Sequence, residues 1–394
     1  MRTLRDLNFR SERAVIRVDF NVPLNEQMEV ADITRIQAAK PTIDYILSKG
    51  GSCVLISHLG RPNGPDPKYS LSNINETVSK ILGLSVSFSK NCVGAYAQAQ
   101  AAALKKGEVL LMENLRFHAE EIAGDITFSE DLSKLGTVYV NDAFGTAHRA
   151  HSSTTTIAQF FNDKKCFGSL LEKEVLSIER VMKSGESPVL AILGGAKVSS
   201  KITIIESLLD KVDHLIIGGG MVYTFTKAMG GKVGNSICES DFCNYALELM
   251  DKAKLKGVKI HLPIDVVAGD NFSNEASQKI FDVMEIAEGW EAMDAGPKST
   301  EKFHDLILSC KTILWNGPMG VFEFSNYAKG TIAVGESVAE ATKAGAFSLV
   351  GGGDSVAAVK QFGLEKKMSY ISTGGGAMLE SLEGKTLPGI EALL

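Results

Sequence analysis

The chain has 394 residues, of which 44% are hydrophobic and 22% charged, and its formal net charge at pH 7 is −6. This composition is that of an ordinary globular protein, and it excludes intrinsic disorder, collagen and coiled coil as overall descriptions. The length indicates two or three domains. The net acidic charge argues against nucleic acid as a partner.

We expect this chain neither to span a membrane nor to be secreted. No run approaches about 18 uninterrupted apolar residues, and the residues after Met1 lack the apolar core of a secretory signal. The six cysteines are scattered, and none forms a zinc pattern with a histidine or a second cysteine pair. They are typical of reduced thiols in a cytoplasmic protein.

Short apolar, β-branched runs alternate along the chain with segments of helical spacing. In the first half, strands are predicted at 13–20, 53–57, 108–112 and 137–140, and helices at 34–48, 72–82 and 95–106. In the second half, strands are predicted at 188–193, 213–217, 258–262, 311–315, 346–350 and 369–372, and helices at 200–209, 241–256 and 331–344. Continuous apolar runs between helices indicate parallel sheets covered on both faces. We therefore expect an α/β fold of doubly wound parallel sheets in two lobes.

One amphipathic helix is predicted between the two halves. Residues 171–184 have helical spacing, and Gly185 follows them. Because the balance of charges changes at the same place from nearly neutral to acidic, we assign 171–185 as an interdomain helix. The predicted lobes are then 1–170 and 186–374.

Arginine is concentrated in the first half, where nine of the ten arginines precede residue 150. In an open parallel sheet, ligands bind at the carboxyl ends of the strands, and there the first half carries polar and basic groups. If these groups come together in space, five side chains would surround one anion: Arg35, His58, Arg61, Arg116 and Arg149. A guanidinium binds a carboxylate or phosphate through a two-pronged fork. We expect such an anion here, although a single strand-end arginine is more often a solvated surface charge.

Glycine follows the strands of the second half. The runs are 194–195, 218–220, 351–353 and 374–376. Glycine lets the backbone approach a ligand closely, and amides at a helix start bind anions. Four such runs favour a phosphate or nucleotide site over ordinary turn geometry. The P-loop pattern is absent and the dinucleotide pattern lacks its third glycine, which weakens a nicotinamide or flavin interpretation.

Two lysines follow the first glycine run. Lys197 and Lys201 are four residues apart and would share a face of a helix. Near a helix N-terminus, they and the free amides would point at an anion. The alternative is a pair of solvated lysines.

Two acidic residues in the second half are further candidates. Asp354 lies between Gly353 and Ser355, where it could cap a helix, hold Mg2+ beside phosphate oxygens, or do both. Glu323 ends a turn rich in glycine and proline, which suits a nucleotide ribose but equally an ordinary turn.

At this point the sequence resembles the phosphoglycerate kinase family across nearly its full length. The motifs that carry the resemblance run in the family's order: Arg17-Val18-Asp19-Phe20-Asn21-Val22-Pro23, Ser57-His58-Leu59-Gly60-Arg61-Pro62, Glu113-Asn114-Leu115-Arg116-Phe117, Asp142 to His151, Gly194-Gly195-Ala196-Lys197-Val198, Trp315 to Gly320, Gly351 to Asp354 and Ser372 to Gly376.

The resemblance implies two Rossmann-like lobes joined by a helix, with a hinge cleft, and a last segment from about 375 to 394 that crosses back to the first lobe. It implies reversible phosphoryl transfer between ATP and the carboxylate of 3-phosphoglycerate, a step of glycolysis and gluconeogenesis, with Mg2+. The first lobe would bind 3-phosphoglycerate and the second lobe the nucleotide.

The matching motifs also imply roles for single residues. Those assigned to 3-phosphoglycerate are Asp19, Phe20, Asn21, Arg35, His58, Leu59, Gly60, Arg61, Arg116 and Arg149. Those assigned to the nucleotide are Lys201, Asn316, Glu323, Gly352, Gly353, Asp354 and Ser355, with Asp354 on the metal. Those assigned to the transferring phosphoryl group are Lys197, Arg35 and the glycine run around Gly375.

The sequence departs from the family pattern in two places. Where the family usually has Gly-Trp-Met-Gly near the adenine, this chain has Gly289-Trp290-Glu291-Ala292, so the methyl group of Ala292 could change the fit of the base. Thr155 and Thr156 stand where the family usually continues toward Val-Gly, which concerns local packing.

A transfer between substrates held on separate lobes requires closure that excludes water, so we expect hinges near 171–185 and 370–376. We also expect a monomer, because no long exposed apolar stripe calls for a partner. Two other functions stay open on the residues alone. One is a nicotinamide-dependent dehydrogenase, and the other is a bilobed anion-binding protein without catalysis.

Overall fold

The computed structural model describes residues 1–394, which divide into two compact units. The first comprises Met1–Val175 and Thr386–Leu394, and the second Leu176–Lys385. No helix combines the length and the apolar character that crossing a membrane requires.

The first unit contains one sheet of six parallel strands. These are β1 (Arg13–Val18), β2 (Ser52–Ile56), β3 (Val86–Ser89), β4 (Val109–Met112), β5 (Val138–Asp142) and β6 (Lys165–Phe167). Their order is β3-β4-β2-β1-β5-β6, with every neighbouring pair parallel. The chain passes from β1 to one side and later returns to the other side at β5. The ends of β1 and β5 therefore form the switch point at which open α/β sheets bind ligands.

The helices of the first part of the chain lie between these strands. They are α1 (Thr34–Ser48), α2 (Ser72–Leu82), α3 (Gly94–Ala102), α4 (Ala119–Ala123), α5 (Ile126–Ser133) and α6 (Ser169–Met182). The division between the units falls inside α6, after Val175. The central strands are buried on both faces, and all five residues of β2 are buried, which explains why they appear in the sequence as continuous apolar runs.

The second unit contains a six-stranded parallel sheet and two smaller ones. Its strands are β7 (Val189–Leu193), β8 (His214–Ile217), β9 (Lys232–Val233), β10 (Lys259–His261), β11 (Asp265–Gly269), β12 (Gln278–Asp282), β13 (Glu285–Ile286), β14 (Glu291–Ala295), β15 (Thr312–Asn316), β16 (Phe347–Val350) and β17 (Tyr370–Ile371). The large sheet has the order β10-β8-β7-β15-β16-β17. Strands β12, β11 and β14 form an antiparallel sheet, and β13 pairs with β9. The switch point of the large sheet lies between β7 and β15.

The remaining helices are α7 (Ile202–Leu208), α8 (Met221–Ala228), α9 (Cys243–Leu255), α10 (Pro297–Ser309), α11 (Lys329–Lys343), α12 (Gly353–Gln361), α13 (Gly376–Leu382) and α14 (Pro388–Glu391). The prediction of an α/β fold with two parallel sheets is confirmed. The segment that groups with the first unit begins at Thr386 and not at about 375, because α13 packs against α7 in the second unit.

Candidate active site

In the first unit, a hydrogen-bond network joins the residues after β1 to α1. Arg35, in the first turn of α1, donates from Nη1 to Oδ2 of Asp19 at 2.9 Å and to the carbonyl oxygen of Asn21 at 3.1 Å. Oδ1 of Asn21 accepts from the amide of Gly60 at 2.8 Å. Both bonds of Arg35 come from Nη1, so its other donors can reach a ligand.

His58 is buried at the end of β2 and lies against a guanidinium. Nη2 of Arg17 is 3.1 Å from Nδ1 of His58. Because a guanidinium only donates, Nδ1 accepts, and the ring proton is on Nε2. Burial, followed by the charges of Arg17 and Arg116, holds the pKa of His58 well below its ordinary value of 6.5. His58 is thus a neutral ring that can donate a hydrogen bond but adds no positive charge.

Three further arginines belong to the same charge cluster. Arg116 is buried and donates from Nη1 to the carbonyl oxygen of Gly60 at 2.6 Å. Burial, followed by the charges of Arg149 and Arg17, lowers the pKa of Arg116 to about 10. Arg149 is half-buried and Arg61 exposed, and the charge of each acts on Arg116. Since guanidinium groups at this spacing repel one another, an anion among them would be strongly stabilised.

The structure therefore brings together the four arginines that the sequence indicated. It adds two charged residues, Arg17 and Glu121, to which no role could be assigned from the sequence. Arg17 is 1% exposed although it lies within β1. Glu121, on α4, is also buried, and its carboxylate accepts from the hydroxyl of Ser153 at 2.6 Å and from the Ser153 amide at 3.0 Å. A buried arginine in an apolar strand is a usable sequence signal. Glu121 gives no such signal, because it follows another glutamate in a short helix.

The side chains of Phe20 and Leu59 belong to the hydrophobic core and not to the polar surface of the site. Their backbones, by contrast, make hydrogen bonds at the site: the Phe20 amide donates to the Ser57 hydroxyl at 2.9 Å, and the Leu59 carbonyl accepts from Asn114 at 2.8 Å. The two motifs are held in place through these bonds.

In the second unit, glycine follows five adjacent strands of the large sheet, β8, β7, β15, β16 and β17. Gly352 shows why glycine is needed here. Its φ is +92°, and a Cβ would lie 2.5 Å from Nδ2 of Asn316. Asn316, at the end of β15, donates to the carbonyl oxygen of Gly351 at 2.8 Å, so neighbouring strand ends are linked.

The two lysines after β7 differ from the expectation. Helix α7 begins only at Ile202, so Lys197 and Lys201 do not share a helix face. The Lys201 amide bonds to the Val198 carbonyl, which closes a turn before the helix. Lys197 is exposed, whereas Lys201 is largely buried and its Nζ donates to Oδ1 of Asn316. Burial lowers the pKa of Lys201, and the carboxylate of Asp354 opposes that shift.

A cleft of about 310 Å³ lies beside these strand ends. Its walls are mainly apolar, with carboxylates at the edges: Gly195, Ala196, Gly219, Gly220, Tyr223, Ile237, Phe272, Glu291, Ala292, Met293, Pro318, Met319, Gly320, Val321, Glu323 and Asp354. The exposed Glu323 and the buried Ala292 are thus both in the wall. An apolar cleft beside glycine-rich strand ends can hold a planar base next to its phosphates.

Asp354 and Ser355 open α12 but face different surroundings. The Asp354 side chain is exposed, as is Gly353. Ser355 is buried, and its hydroxyl accepts the hydrogen bond of the Gly317 amide. The protein has no cluster of three or more metal-ligating side chains. A single exposed carboxylate does fit Mg2+ that is held mostly by phosphate oxygens and water.

Gly375 lies just before α13, after edge strand β17, with a φ of +46°. Open space surrounds the position of its missing Cβ. A side chain at this position would thus meet no neighbour, and the left-handed φ is what favours glycine here.

The comparisons with known proteins agree with one another. The family model described as phosphoglycerate kinase matches residues 4–385. A phosphoglycerate kinase of Porphyromonas gingivalis is 52% identical, with 99% of each chain covered. The protein named phosphoglycerate kinase 3, cytosolic, of Arabidopsis thaliana is 49% identical over 99% of this chain and 97% of its own length. The solved phosphoglycerate kinase of Coxiella burnetii superposes with a TM-score of 0.91 at 37% identity, covering 99% of this chain and 98% of that one.

Proposed function

The chain belongs to the phosphoglycerate kinase family, and from that premise we propose how its residues divide the work of the reaction. The enzyme catalyses reversible phosphoryl transfer between ATP and the carboxylate of 3-phosphoglycerate, giving 1,3-bisphosphoglycerate and ADP, a step of glycolysis. We assign residues to the binding of each substrate and to the stabilisation of the phosphoryl group in transfer.

The first unit binds 3-phosphoglycerate. The observation that carries this assignment is the cluster of Arg17, Arg35, Arg116 and Arg149, whose charges all act on the buried His58. The substrate carries a phosphate and a carboxylate, which match guanidinium forks. Residues that share this role are Asp19, Asn21, His58, Gly60 and Arg61, while Phe20 and Leu59 hold the site through their backbones.

The second unit binds the nucleotide. The apolar cleft accepts the base, and Glu323 at its edge accepts from the ribose hydroxyls. Lys201, Asn316 and the backbone from Gly352 to Ser355 bind the phosphates at the ends of β15 and β16. The largely buried Lys201 suits this role because a cation with reduced solvation interacts more strongly with an anion.

Transfer depends on alignment and on neutralising charge. The attacking carboxylate is ionised at pH 7, so no general base is required. Lys197, exposed and close to the strand ends, would stabilise the phosphoryl group in transfer, with Arg35 and the amide of Gly375.

Mg2+ fits the second unit at Asp354, the exposed carboxylate whose charge acts on the largely buried Lys201. Bound there, the ion would offset the negative charge of the nucleotide phosphates. Asp354 itself would fix the position of the metal-nucleotide complex relative to α12.

Because each substrate is assigned to its own unit, transfer requires that the units close on each other. Small-angle scattering with and without both substrates tests this, and an unchanged radius of gyration would contradict it. The segments proposed to bend are 171–185, within which α6 passes from one unit to the other, and 370–376.

We further propose that the enzyme acts as a cytoplasmic monomer, without nucleic acid or membrane partners. The six cysteines are free, and four of them are buried, as suits a reducing compartment.

The decisive experiment is a coupled assay of ATP consumption that requires both 3-phosphoglycerate and Mg2+. Turnover only with all three components supports the assignment. ATP consumption without 3-phosphoglycerate, or binding of both substrates without turnover, would reject it. A reaction dependent on a nicotinamide cofactor would favour the dehydrogenase alternative.

A further inference from the structure

A chain of buried hydrogen bonds leads from Glu121 to His58, one of the residues assigned to the substrate. It consists of Glu121, Ser153, Arg17 and His58, which come from α4, the loop after β5, β1 and the end of β2. All four side chains are buried. The chain therefore connects separate elements of the first unit below the surface of the proposed substrate site.

The direction of each bond can be assigned from the donors available. Nε of Arg17 donates to the Ser153 hydroxyl at 2.8 Å, and that hydroxyl donates its own proton to Oε1 of Glu121 at 2.6 Å. The Ser153 amide donates to Oε2 at 3.0 Å. Glu121 receives two donors, which is the pattern of an ionised carboxylate.

Charge also ties Glu121 to the cluster. Burial raises the pKa of Glu121, and the largest opposing influence is the charge of Arg17. His151 lies 4.0 Å from Oε1 through its Nδ1, but burial and the arginine charges lower the pKa of His151 to about 4, so this ring is neutral at pH 7. Asp19 is bonded to Arg35 instead. Glu121 is therefore the acidic residue that interacts with Arg17, through the Ser153 hydroxyl.

The other end of the chain sets the state of His58. With Nε of Arg17 fixed on Ser153, Nη2 of the same planar group is held 3.1 Å from Nδ1 of His58. Nη1 of the same group donates to the carbonyl oxygen of Val18, so the planar fork is held at all three nitrogens and the bond to Ser153 sets its outer edge. The His58 ring consequently keeps its proton on Nε2.

We propose that Glu121 is a positioning residue for the phosphoglycerate site: through Ser153 it orients Arg17, and through Arg17 it fixes the His58 tautomer that donates from Nε2 to the bound anion. Glu121 does not touch the substrate. The inference rests on the proposed assignment of 3-phosphoglycerate to the first unit.

Three variants test the chain. Ser153→Ala removes only the hydroxyl, Glu121→Gln removes the charge, and Glu120→Gln removes the same charge from the exposed neighbour in α4 as a control. For the first two we expect KM for 3-phosphoglycerate to rise roughly 10-fold, the loss typical of one buried charge-assisted bond. We expect kcat and KM for ATP to change less than about twofold, and the control to match the parent.

The effects of Ser153→Ala and Glu121→Gln on KM for 3-phosphoglycerate should not add. If both residues act through Arg17, the double variant should have about the same KM as the worse single variant, because the second change breaks a chain already broken. Multiplied effects, or a wild-type KM in both single variants, would overturn the proposal.

A direct readout separates positioning from a loss of folding. Nitrogen-15 NMR of the histidine rings in the substrate-free enzyme should show His58 protonated on Nε2 from pH 5.5 to 8.5. In Ser153→Ala we expect a mixture of tautomers. An unchanged His58 signal in that variant would overturn the proposal, and Ser153→Ala decides the question if Glu121→Gln does not fold. Since this measurement needs no substrate, its outcome is independent of whether 3-phosphoglycerate binds in this unit.

Discussion

The backbones of Gly194 and Gly317 lie directly against each other at the switch point of the large sheet in the second unit. A Cβ on Gly194 would lie 2.6 Å from the carbonyl carbon of Gly317, and one on Gly317 would lie 2.4 Å from the carbonyl carbon of Gly194. Real Cβ atoms do not approach backbone so closely, and neither strand end can move alone because the Gly194 amide donates to the Asn316 carbonyl at 3.0 Å. The two strand ends thus depend on glycine at both positions.

Gly194→Ala should therefore separate the ends of β7 and β15. We expect KM for ATP to rise at least 10-fold with a fall in the melting temperature, while 3-phosphoglycerate binding, measured by calorimetry, is retained. Gly257→Ala is the control, since Gly257 has a φ of +75° but open space around it. That change should cost only about 1 kcal/mol of stability and leave KM for ATP unchanged.

Lys197→Ala should reduce kcat by about 10²–10³, the usual loss of one preorganised charge donor. Because Lys197 is exposed, the melting temperature should stay within about 1–2 °C of the parent. The exposed Lys254→Ala is a matched control without an expected effect. Turnover near that of the parent in the Lys197 variant would remove this residue from the mechanism.

Arg61→Ala should act mainly on substrate binding. Arg61 is exposed at the edge of the guanidinium cluster, so its loss should raise KM for 3-phosphoglycerate about 10-fold with little change in kcat or stability. Arg10→Ala, another exposed arginine of the same unit, should behave like the parent. A large fall in kcat at unchanged KM would contradict this division of roles.

Asp142 should make the stability of the protein depend on pH. Burial raises its pKa from 3.8 to about 7, Oδ1 accepts the amides of Leu170 and Leu171 at the start of α6, and Oδ2 has no hydrogen-bond partner. Between these two pKa values the folded state holds a proton that the unfolded state releases. Stability contributed by this group therefore falls as pH rises from about 4 to 7.

Asp142→Asn keeps an acceptor for the two amides but cannot titrate. We expect the free energy of unfolding of this variant, relative to the parent, to increase from pH 5 to 7 and to level off above about pH 8, measured by urea denaturation. Asp163→Asn, an exposed residue, should give a difference independent of pH. A flat difference for Asp142→Asn would show that the carboxyl is ionised when folded.

Much of the fold could be predicted because its central strands are buried on both faces. Strands β1, β2, β7 and β15 are continuous apolar runs, and each was predicted within about two residues of its observed ends. The short edge strands β3 and β6 and the antiparallel strands were missed. Strand β12 was missed because its residues are mostly exposed and show no apolar run.

Helix α8 was missed for the opposite reason. Its residues from Met221 to Thr226 are all buried, so it has no polar face from which helical periodicity could be read. The error at Lys197 and Lys201 had another origin. Spacing alone cannot show that a turn precedes the helix, and the bonds from Ser199 to Glu239 that hold this loop join residues 40 positions apart.

At the site, sequence motifs could identify residues that face a ligand but not those that support them. Arg116 and Asn316 belong to recognisable strand-end patterns, and Arg35 lies at the start of the helix after the first strand. Glu121 and Ser153 gain their importance only from the distance between α4, β1 and the loop after β5, which the topology determines.

The last residues of the chain return to the first unit. There the Gly389 amide donates to the Ala147 carbonyl at 2.8 Å, Lys165 donates to the Ala392 carbonyl at 2.7 Å, and Leu387 and Leu393 are buried. During synthesis on the ribosome, the unit that is translated first therefore completes its packing only after residues 386–394 have been made. Its surface that receives residues 386–394 stays open to chaperones and proteases until translation has passed through the whole second unit.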